Sequence, residues 1–520
     1  MNGPVLVILP HNPGDVVMAL LAIRRIKAEH AGLEVDYLVS EECLDLVRGS
    51  PLIRRAIAIP KRALKGHWSA GDAAAVSECL ESFLADLASV RYRLSANLFQ
   101  ERSGALLQAF VEADRKIGLE LIDGAVFQVK SRFLEHLSAI PADRGGNGWH
   151  VVDIYVRALA RALDEGRPGD ALRPPPKRRP PERRAENAAS LLPPLIRPEA
   201  CKSLAPGEYL AFHPGSAWAG KRWPESHWAA LASRCARAGF PIAFTGAPEE
   251  KPVMERIRSA MDAAARGAMV DCIGATSLAG AAWVCAHARM VITGDTVAMH
   301  LAAAAGVQTL SLFGASNPVE TGPYGKGHVL IQTDANPPPD LAFEKEHPGL
   351  AHLGADEVAD YLLEGIPPPG FAMWETGWDE ARRMQILTDA RRLPHPSLVR
   401  AAGLMRVLDR EHGRGGGTSG SGGSALAAET PLRPMPGPDD PRDKLRGALE
   451  ACLGDAGTGN LAALEACERE LAADTQASLV WEAYRIAVNG LSLRDLRAHL
   501  AARRERFDLA LREEASARAH

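Results

Sequence analysis

Two short stretches constrain this chain most. The first runs Val5-Leu6-Val7-Ile8-Leu9-Pro10-His11-Asn12-Pro13-Gly14-Asp15-Val16-Val17, which reads as a strand, a turn and a helix start with a carboxylate at its mouth. The second repeats the plan: the apolar run Met290-Val291-Ile292-Thr293 leads into Gly294-Asp295-Thr296-Val297-Ala298-Met299-His300 and then into the small residues 301–306. Apolar runs of this kind set between helical patterns mark parallel strands covered on both faces. Backbone N–H groups at a helix start, with the helix dipole behind them, make a site for phosphate. One turn therefore suits a diphosphate and the other a base. They stand far apart in sequence, so they are expected to meet only across a cleft between two lobes.

The chain has 520 residues, room for two or three domains, and its 46% hydrophobic content supplies a core. A net charge of -4 carries no overall signature of nucleic-acid binding. Its eight cysteines include no CxxC pair and fit buried or free thiols in a reducing cytoplasm. The amino-terminal apolar run lacks the basic start and small-residue cleavage site of a signal peptide, and no apolar run reaches the roughly 18 residues of a membrane span. A cytoplasmic protein is expected, with peripheral contact on the inner membrane left open.

Strands expected at 5–9, 35–39 and 56–59 and helices at 16–30 and 73–89 give an N-terminal Rossmann-like lobe over 1–165. A connector over 166–206 contains Arg173-Pro174-Pro175-Pro176-Lys177-Arg178-Arg179-Pro180-Pro181, too proline-rich for a helix or a central strand. Its basic cluster is either a solvated linker or a contact for an anionic membrane surface. A second Rossmann-like lobe over 207–365 follows, with strands at 209–212, 241–245, 290–293 and 309–313 and a closing helix at 356–363. A helical extension is expected at 366–412, a flexible Gly/Ser/Pro-rich linker at 413–440 and a small helical tail at 441–520.

Four blocks stand in order along the chain: Pro13-Gly14-Asp15; His213-Pro214-Gly215-Ser216 through Lys221-Arg222-Trp223-Pro224; Thr245-Gly246-Ala247-Pro248-Glu249-Glu250; and Gly294-Asp295-Thr296 through His300, followed by Phe313-Gly314-Ala315-Ser316-Asn317-Pro318. Together they resemble glycosyltransferase family 9, the ADP-heptose lipopolysaccharide heptosyltransferases, over roughly residues 4–365. The resemblance implies an α/β fold of the GT-B type, two Rossmann-like lobes facing across a cleft, to which this chain adds a C-terminal α-helical segment. The donor is expected in the C-terminal lobe and the acceptor mainly in the N-terminal lobe. The implied activity is an inverting transfer of heptose from ADP-heptose to a lipopolysaccharide inner-core sugar or a related envelope glycan. No metal or other cofactor is expected. The implied partners are a nucleotide-sugar donor and an anionic glycolipid, with no nucleic acid; a protein partner for the tail stays open.

A glycosyl transfer needs a base for the acceptor hydroxyl and charge stabilisation for the departing diphosphate. Asp15 matches the family's proposed catalytic aspartate; alternatively it caps the helix that follows. Lys221 suits the diphosphate, a point charge on a flexible stem. Ser216, Asp295, Thr296 and the amides of Val297 and Ala298 surround the same anion, and His300 either reaches a phosphate or packs at the helix start. Glu250 resembles the family's ribose-binding glutamate, with Glu249 as the adjacent alternative. Lys61, Arg62, Gln100 and Arg102 stand where the family meets its anionic acceptor, although Lys61 and Arg62 equally fit a plain solvated surface. Val297 replaces a glycine usual in the family, and a β-branched side chain there narrows the pocket and disfavours positive φ. Rival readings are transfer to a protein or another glycan, a non-catalytic nucleotide-sugar or glycan binder, and a sugar-nucleotide epimerase.

Overall fold

The computed structural model describes residues 3–122, 126–139, 149–164, 191–314, 316–333, 348–369, 371–378 and 384–388. Its strands are β1 (Val5–Ile8), β2 (Val35–Val39), β3 (Arg55–Ala58), β4 (Leu94–Asn97), β5 (Lys116–Ile122), β6 (Val126–Lys130), β7 (Leu210–His213), β8 (Ile242–Phe244), β9 (Met269–Asp271), β10 (Met290–Gly294), β11 (Thr309–Phe313), β12 (Val329–Gln332), β13 (Ala372–Trp378) and β14 (Met384–Thr388). They form two mixed sheets, one of six strands and one of eight, with helices between them along the chain. The expected α/β class is therefore the one observed.

The described residues fall into two compact units. One comprises residues 3–10 and 58–131, the other 11–57 and 132–388. In the first unit β1 runs parallel to β4, with Val5 opposite Leu94 and Ile8 opposite Asn97. β5 continues parallel to β4, and β6 returns antiparallel. Every residue of β1 is buried, as a strand covered on both faces requires. The β5–β6 hairpin escaped the sequence reading because polar residues such as Gln128 and Lys130 interrupt its apolar pattern.

In the second unit β2 is buried at every position, Asp36 included. Arg54 makes that tolerable, donating through Nε and Nη2 to the Asp36 carboxylate at 2.8 and 2.6 Å. The eight-stranded sheet has the order β14-β13-β12-β11-β10-β7-β8-β9. From β12 to β9 its pairings are parallel, so the carboxyl ends of β7, β10 and β11 share one edge. The carboxyl edge of an open parallel sheet is where α/β proteins bind ligands.

One expectation is corrected here. Residues 371–388 belong to a stretch expected to be helical, yet β13 and β14 form an antiparallel hairpin whose β13 pairs with β12. The period is two: Trp374 and Thr376 are buried and Glu375 between them is exposed. Residues 379–383 and 389–412 of that extension, the linker at 413–440, the tail at 441–520 and connector residues 166–190 with their basic cluster lie outside the described residues. Among the described residues no helix is long and apolar enough to cross a membrane, and the six described cysteines are free.

Aromatic packing holds the larger sheet to its helices. Trp228, on the helix Glu225–Arg237, packs at 5.5 Å from Phe212 of β7 and 5.1 Å from Trp223, and Phe212 meets Phe244 of β8 at 5.5 Å. Trp228 is fully buried, and its indole N–H has no hydrogen-bond partner. Trp228→Ala is expected to cost about 3–5 kcal/mol. Trp228→Phe should cost markedly less, because it keeps most of the packing and removes an unsatisfied donor. Urea unfolding of the two variants beside the wild type measures the difference.

Candidate active site

The helix Pro13–Glu29 begins after Asn12, which has extended backbone and makes no side-chain cap. Asp15 is its third residue, so the capping alternative does not hold; the carboxylate stands in the first turn, where the dipole favours it. The turn before it is fixed from behind, since the Ser40 hydroxyl and the Cys43 thiol both donate to the His11 carbonyl, at 3.3 and 3.7 Å. His11 Nε2 lies 3.7 Å from Asp15 Oδ2. Burial raises the Asp15 carboxyl above its ordinary range. His11 and Lys221 pull it back down, and the neighbouring Asp295 pushes it up.

Lys221 closes the short 3-10 turn Ala219–Lys221, and its Nζ donates to Asp295 Oδ2 at 2.5 Å. Asp295 follows the last residue of β10, with 6% of its side chain exposed. At Gly294 a Cβ would come within 2.9 Å of the Lys221 carbonyl, so a glycine there lets the turn lie on the strand end. Burial alone would raise the Asp295 carboxyl. The Lys221 ammonium, through its charge and its hydrogen bond, outweighs it and holds the carboxyl below the usual range.

Thr296 is the N-cap of the helix Val297–Ala304 and makes no side-chain cap; its hydroxyl instead meets that of Thr293 at 2.8 Å. Thr296 thus leaves the first amides of this helix without a cap from its own side chain. Val297 is the first helical residue, and among the described residues Ser131 alone departs from negative φ without being glycine. The β-branched side chain therefore sits without backbone strain, contrary to the concern raised by its replacement of glycine.

His300, on the next turn, is 4% exposed. It lies against Gly14, where a Cβ would stand 3.0 Å from its Cδ2. The Gly14-Asp15 turn and the stretch from Gly294 to His300 therefore meet within one compact unit. Burial keeps the His300 imidazole neutral and pushes its pKa down to about 4 despite Asp295, and its Nδ1 has no hydrogen-bond partner.

Behind His300 lies a group that the sequence did not disclose. His150 Nδ1 accepts from the Val152 N–H at 3.1 Å, so Nε2 carries the proton and donates to the Gly322 carbonyl at 2.8 Å. Its ring packs 4.8 Å from Tyr324. Tyr324 donates to Asp153 Oδ1 at 2.7 Å, and Arg25 donates to the same oxygen at 2.5 Å and also contacts the Tyr324 hydroxyl. Arg25 belongs to the helix of Asp15 and Asp153 to the helix Val151–Asp164, so this cluster ties the two together. Residues 25, 150, 153 and 324 share no motif; only folding unites them.

Glu250 Oε2 accepts from the Ala247 N–H at 2.8 Å. Its carboxylate lies against Gly215 and Gly246, where any Cβ would collide with it. Glu249 is exposed, so the structure encloses Glu250 and not its neighbour. Beside it the Ser216 hydroxyl accepts from the Trp218 N–H at 3.3 Å, and Arg222 Nε donates to the Ser216 carbonyl at 2.7 Å. Lys61, Arg62, Gln100 and Arg102 all belong to the first unit. Lys61 and Arg62 open the helix Lys61–Ala70, and Arg102 opens Arg102–Ala109 with its guanidinium 5.4 Å from the Phe127 ring. Among the described residues no group of three or more His, Cys, Asp and Glu side chains is placed to hold a metal ion.

The sequence model of glycosyltransferase family 9 (heptosyltransferase) matches residues 82–350. Lipopolysaccharide heptosyltransferase 1 of Pseudomonas aeruginosa is 28% identical over 335 residues, covering 64% of this chain and 84% of that protein. Lipooligosaccharide heptosyltransferase 2 of Haemophilus influenzae is 26% identical over 335 residues, covering 63% and 88%. The fold is shared with two solved structures. The E. coli ADP-heptose lps heptosyltransferase II aligns with a TM-score of 0.50 at 21% identity, over 69% of this chain and 97% of that one. The E. coli heptosyltransferase WaaC with ADP aligns with a TM-score of 0.51 at 20% identity, over 70% and 100%.

The buried imidazole makes stability depend on pH. The folded pKa of His300 is about 4, below the ~6.5 of an unfolded histidine. Its contribution is complete above the unfolded value and is lost as pH falls from there toward the folded one. His300→Gln should therefore lose about 2 kcal/mol less stability than the wild type between about pH 7 and pH 5. Urea unfolding at both pH values checks this.

Proposed function

Because the chain belongs to glycosyltransferase family 9 (heptosyltransferase), we propose that it moves a heptose from ADP-heptose to an inner-core lipopolysaccharide sugar or a related envelope glycan, with inversion at the anomeric carbon. The names of its relatives support the heptose and the lipopolysaccharide, and the ADP named in a solved structure of like fold supports the nucleotide. The observation that carries the reading is the Lys221–Asp295 pair at the strand edge with Asp15 beside it.

In this reading the acceptor hydroxyl oxygen forms a bond to the anomeric carbon while the carbon–oxygen bond to the diphosphate breaks. ADP leaves with the electron pair, and Asp15 takes the hydroxyl proton. A carboxyl raised above its usual range is a stronger base than an exposed aspartate. Lys221, Ser216 and the amides of Val297 and Ala298 meet the charge that develops on the diphosphate. Asp295 is itself an anion and repels a diphosphate; paired with Lys221 at 2.5 Å, its task is to hold the ammonium in place. Glu250 offers Oε1 to the ribose hydroxyls, while Oε2 is used by the Ala247 amide.

For the acceptor, the first unit places cations at two helix starts, Lys61-Arg62 and Arg102. The dipole disfavours a cation at that end. Amides and cations pointing to one end suit a phosphate or carboxylate. A glycolipid acceptor would bring the working enzyme to the cytoplasmic face of the inner membrane.

The test is ADP release from ADP-heptose with and without truncated lipopolysaccharide. Release should depend on the acceptor. Asp15→Asn should lower kcat/KM by roughly 10²–10⁴-fold, and Lys221→Ala by roughly 10²–10³-fold. Release that ignores the acceptor, or survives Asp15→Asn, overturns the proposal.

A further inference from the structure

We propose that His11 is a positioning residue for Asp15, the imidazole and the carboxylate acting as one charge pair at the mouth of the first helix. The inference rests on the reading of Asp15 as the base. Its ground is geometric. His11 Nε2 stands 3.7 Å from Asp15 Oδ2, four residues along, with 39% and 28% of the two side chains exposed. The His11 backbone is not free to drift, because Ser40 and Cys43 both donate to its carbonyl. The ring is thus delivered to the carboxylate from an anchored turn, on the side open to solvent.

The other groups facing Asp15 come from elsewhere. Lys221 lies on the 3-10 turn, Asp295 at the end of β10, Tyr37 on β2 and Tyr155 on the helix Val151–Asp164. His300 covers the adjacent Gly14. Lys221 is already engaged by Asp295, and burial keeps His300 neutral. Tyr37 and Tyr155 are held protonated by burial. That leaves the His11 imidazole, facing Asp15 at 3.7 Å, and imidazole is the side-chain type that exchanges a charge without a large change of surroundings. Of the influences that keep Asp15 ionised, its charge is also the largest. A protonated imidazole holds Asp15 as carboxylate, ready to accept a proton, at pH values where burial would otherwise neutralise it. As the imidazole loses its proton, Asp15 becomes the stronger base without any need for that help.

The sign follows. Without the imidazole, Asp15 takes up a proton at higher pH, and the acid limb of kcat/KM moves up. His11→Gln should lose activity roughly fivefold on the acid limb, the scale of one unit charge about 4 Å away in a half-exposed site, and keep the alkaline plateau. His11→Lys, which restores a cation, should bring the limb back. A residue that only shaped the turn would lower activity equally at all pH values, and lysine would not rescue it.

The first readout is independent of turnover. In protein labelled with [4-¹³C]aspartate, assigned with Asp15→Asn, the Asp15 carboxyl signal is followed against pH. The wild-type signal should show a second inflection where the His11 ring titrates, and the His11→Gln signal should titrate at higher pH. Identical Asp15 titrations in wild type and His11→Gln, or a wild-type signal blind to His11, overturn the inference whatever the activity. Coupled titrations without acceptor-dependent ADP release would leave the pair standing and overturn the transferase reading instead.

Discussion

The ion pair between Lys221 and Asp295 is the contact on which the candidate site depends. A carboxylate with 6% of its side chain exposed cannot stand alone, and truncating either partner would strand a charge in a poorly hydrated place. Several features of the larger sheet serve to bring the two together. β7 and β10 pair in parallel register, so the chain leaving β7 passes over the end of β10. Gly294 leaves room for the Lys221 carbonyl, and at Gly314, on the next strand end, a Cβ would stand 3.0 Å from the Gly220 carbonyl. The turn is thus held by backbone contacts as well as by the Lys221–Asp295 ion pair.

Around a single ammonium, two carboxylates are driven in opposite directions. Asp295 touches Lys221 and is held below its usual range; Asp15 feels Lys221 from further away, is pushed by Asp295, and is raised. Environments that separate the pKa values of two similar groups are a means of giving them different tasks. Here one is a fixed counter-ion, and the other has the raised carboxyl that the proposed base requires. The imidazole layer behind them contributes no competing charge, because burial holds both His300 and His150 toward the neutral form.

Much of this was legible in the sequence, for identifiable reasons. Buried parallel strands such as β1, β2, β10 and β11 are continuous apolar runs, and the glycine and aspartate turns after them are hard to read otherwise. Asp15, Lys221 and the Val297 helix start were found because each lies inside a local motif. The polar β5–β6 hairpin and the β13–β14 addition were hidden, since strand pairing with a distant partner leaves little local trace. Which of Glu249 and Glu250 is enclosed could not be read locally either, since the Glu250 carboxylate lies against Gly215, 35 positions away, while Glu249 is exposed. His11 did carry a local signal, a titratable ring four residues before the aspartate. It went unread because His11 precedes the helix, where that spacing is not expected to bring side chains together.

The helix of Asp15 is also fixed at a second point. Arg25 lies ten residues beyond Asp15, about 15 Å along the axis, and binds Asp153 and Tyr324 on two other segments. A buried ion pair is a poor source of stability, because desolvation offsets most of the attraction. Its two-pronged geometry is demanding, however, and fixes the rotation of the helix as well as its position. With Gly14 seated on His300 at one end and Arg25 clamped at the other, the Asp15 carboxylate is carried by a rigid element and not by a loop. Displacements of about 1 Å in a reacting group can cost orders of magnitude in rate. If Asp15 is the base proposed above, a clamp this distant from it acts on the reaction through geometry alone.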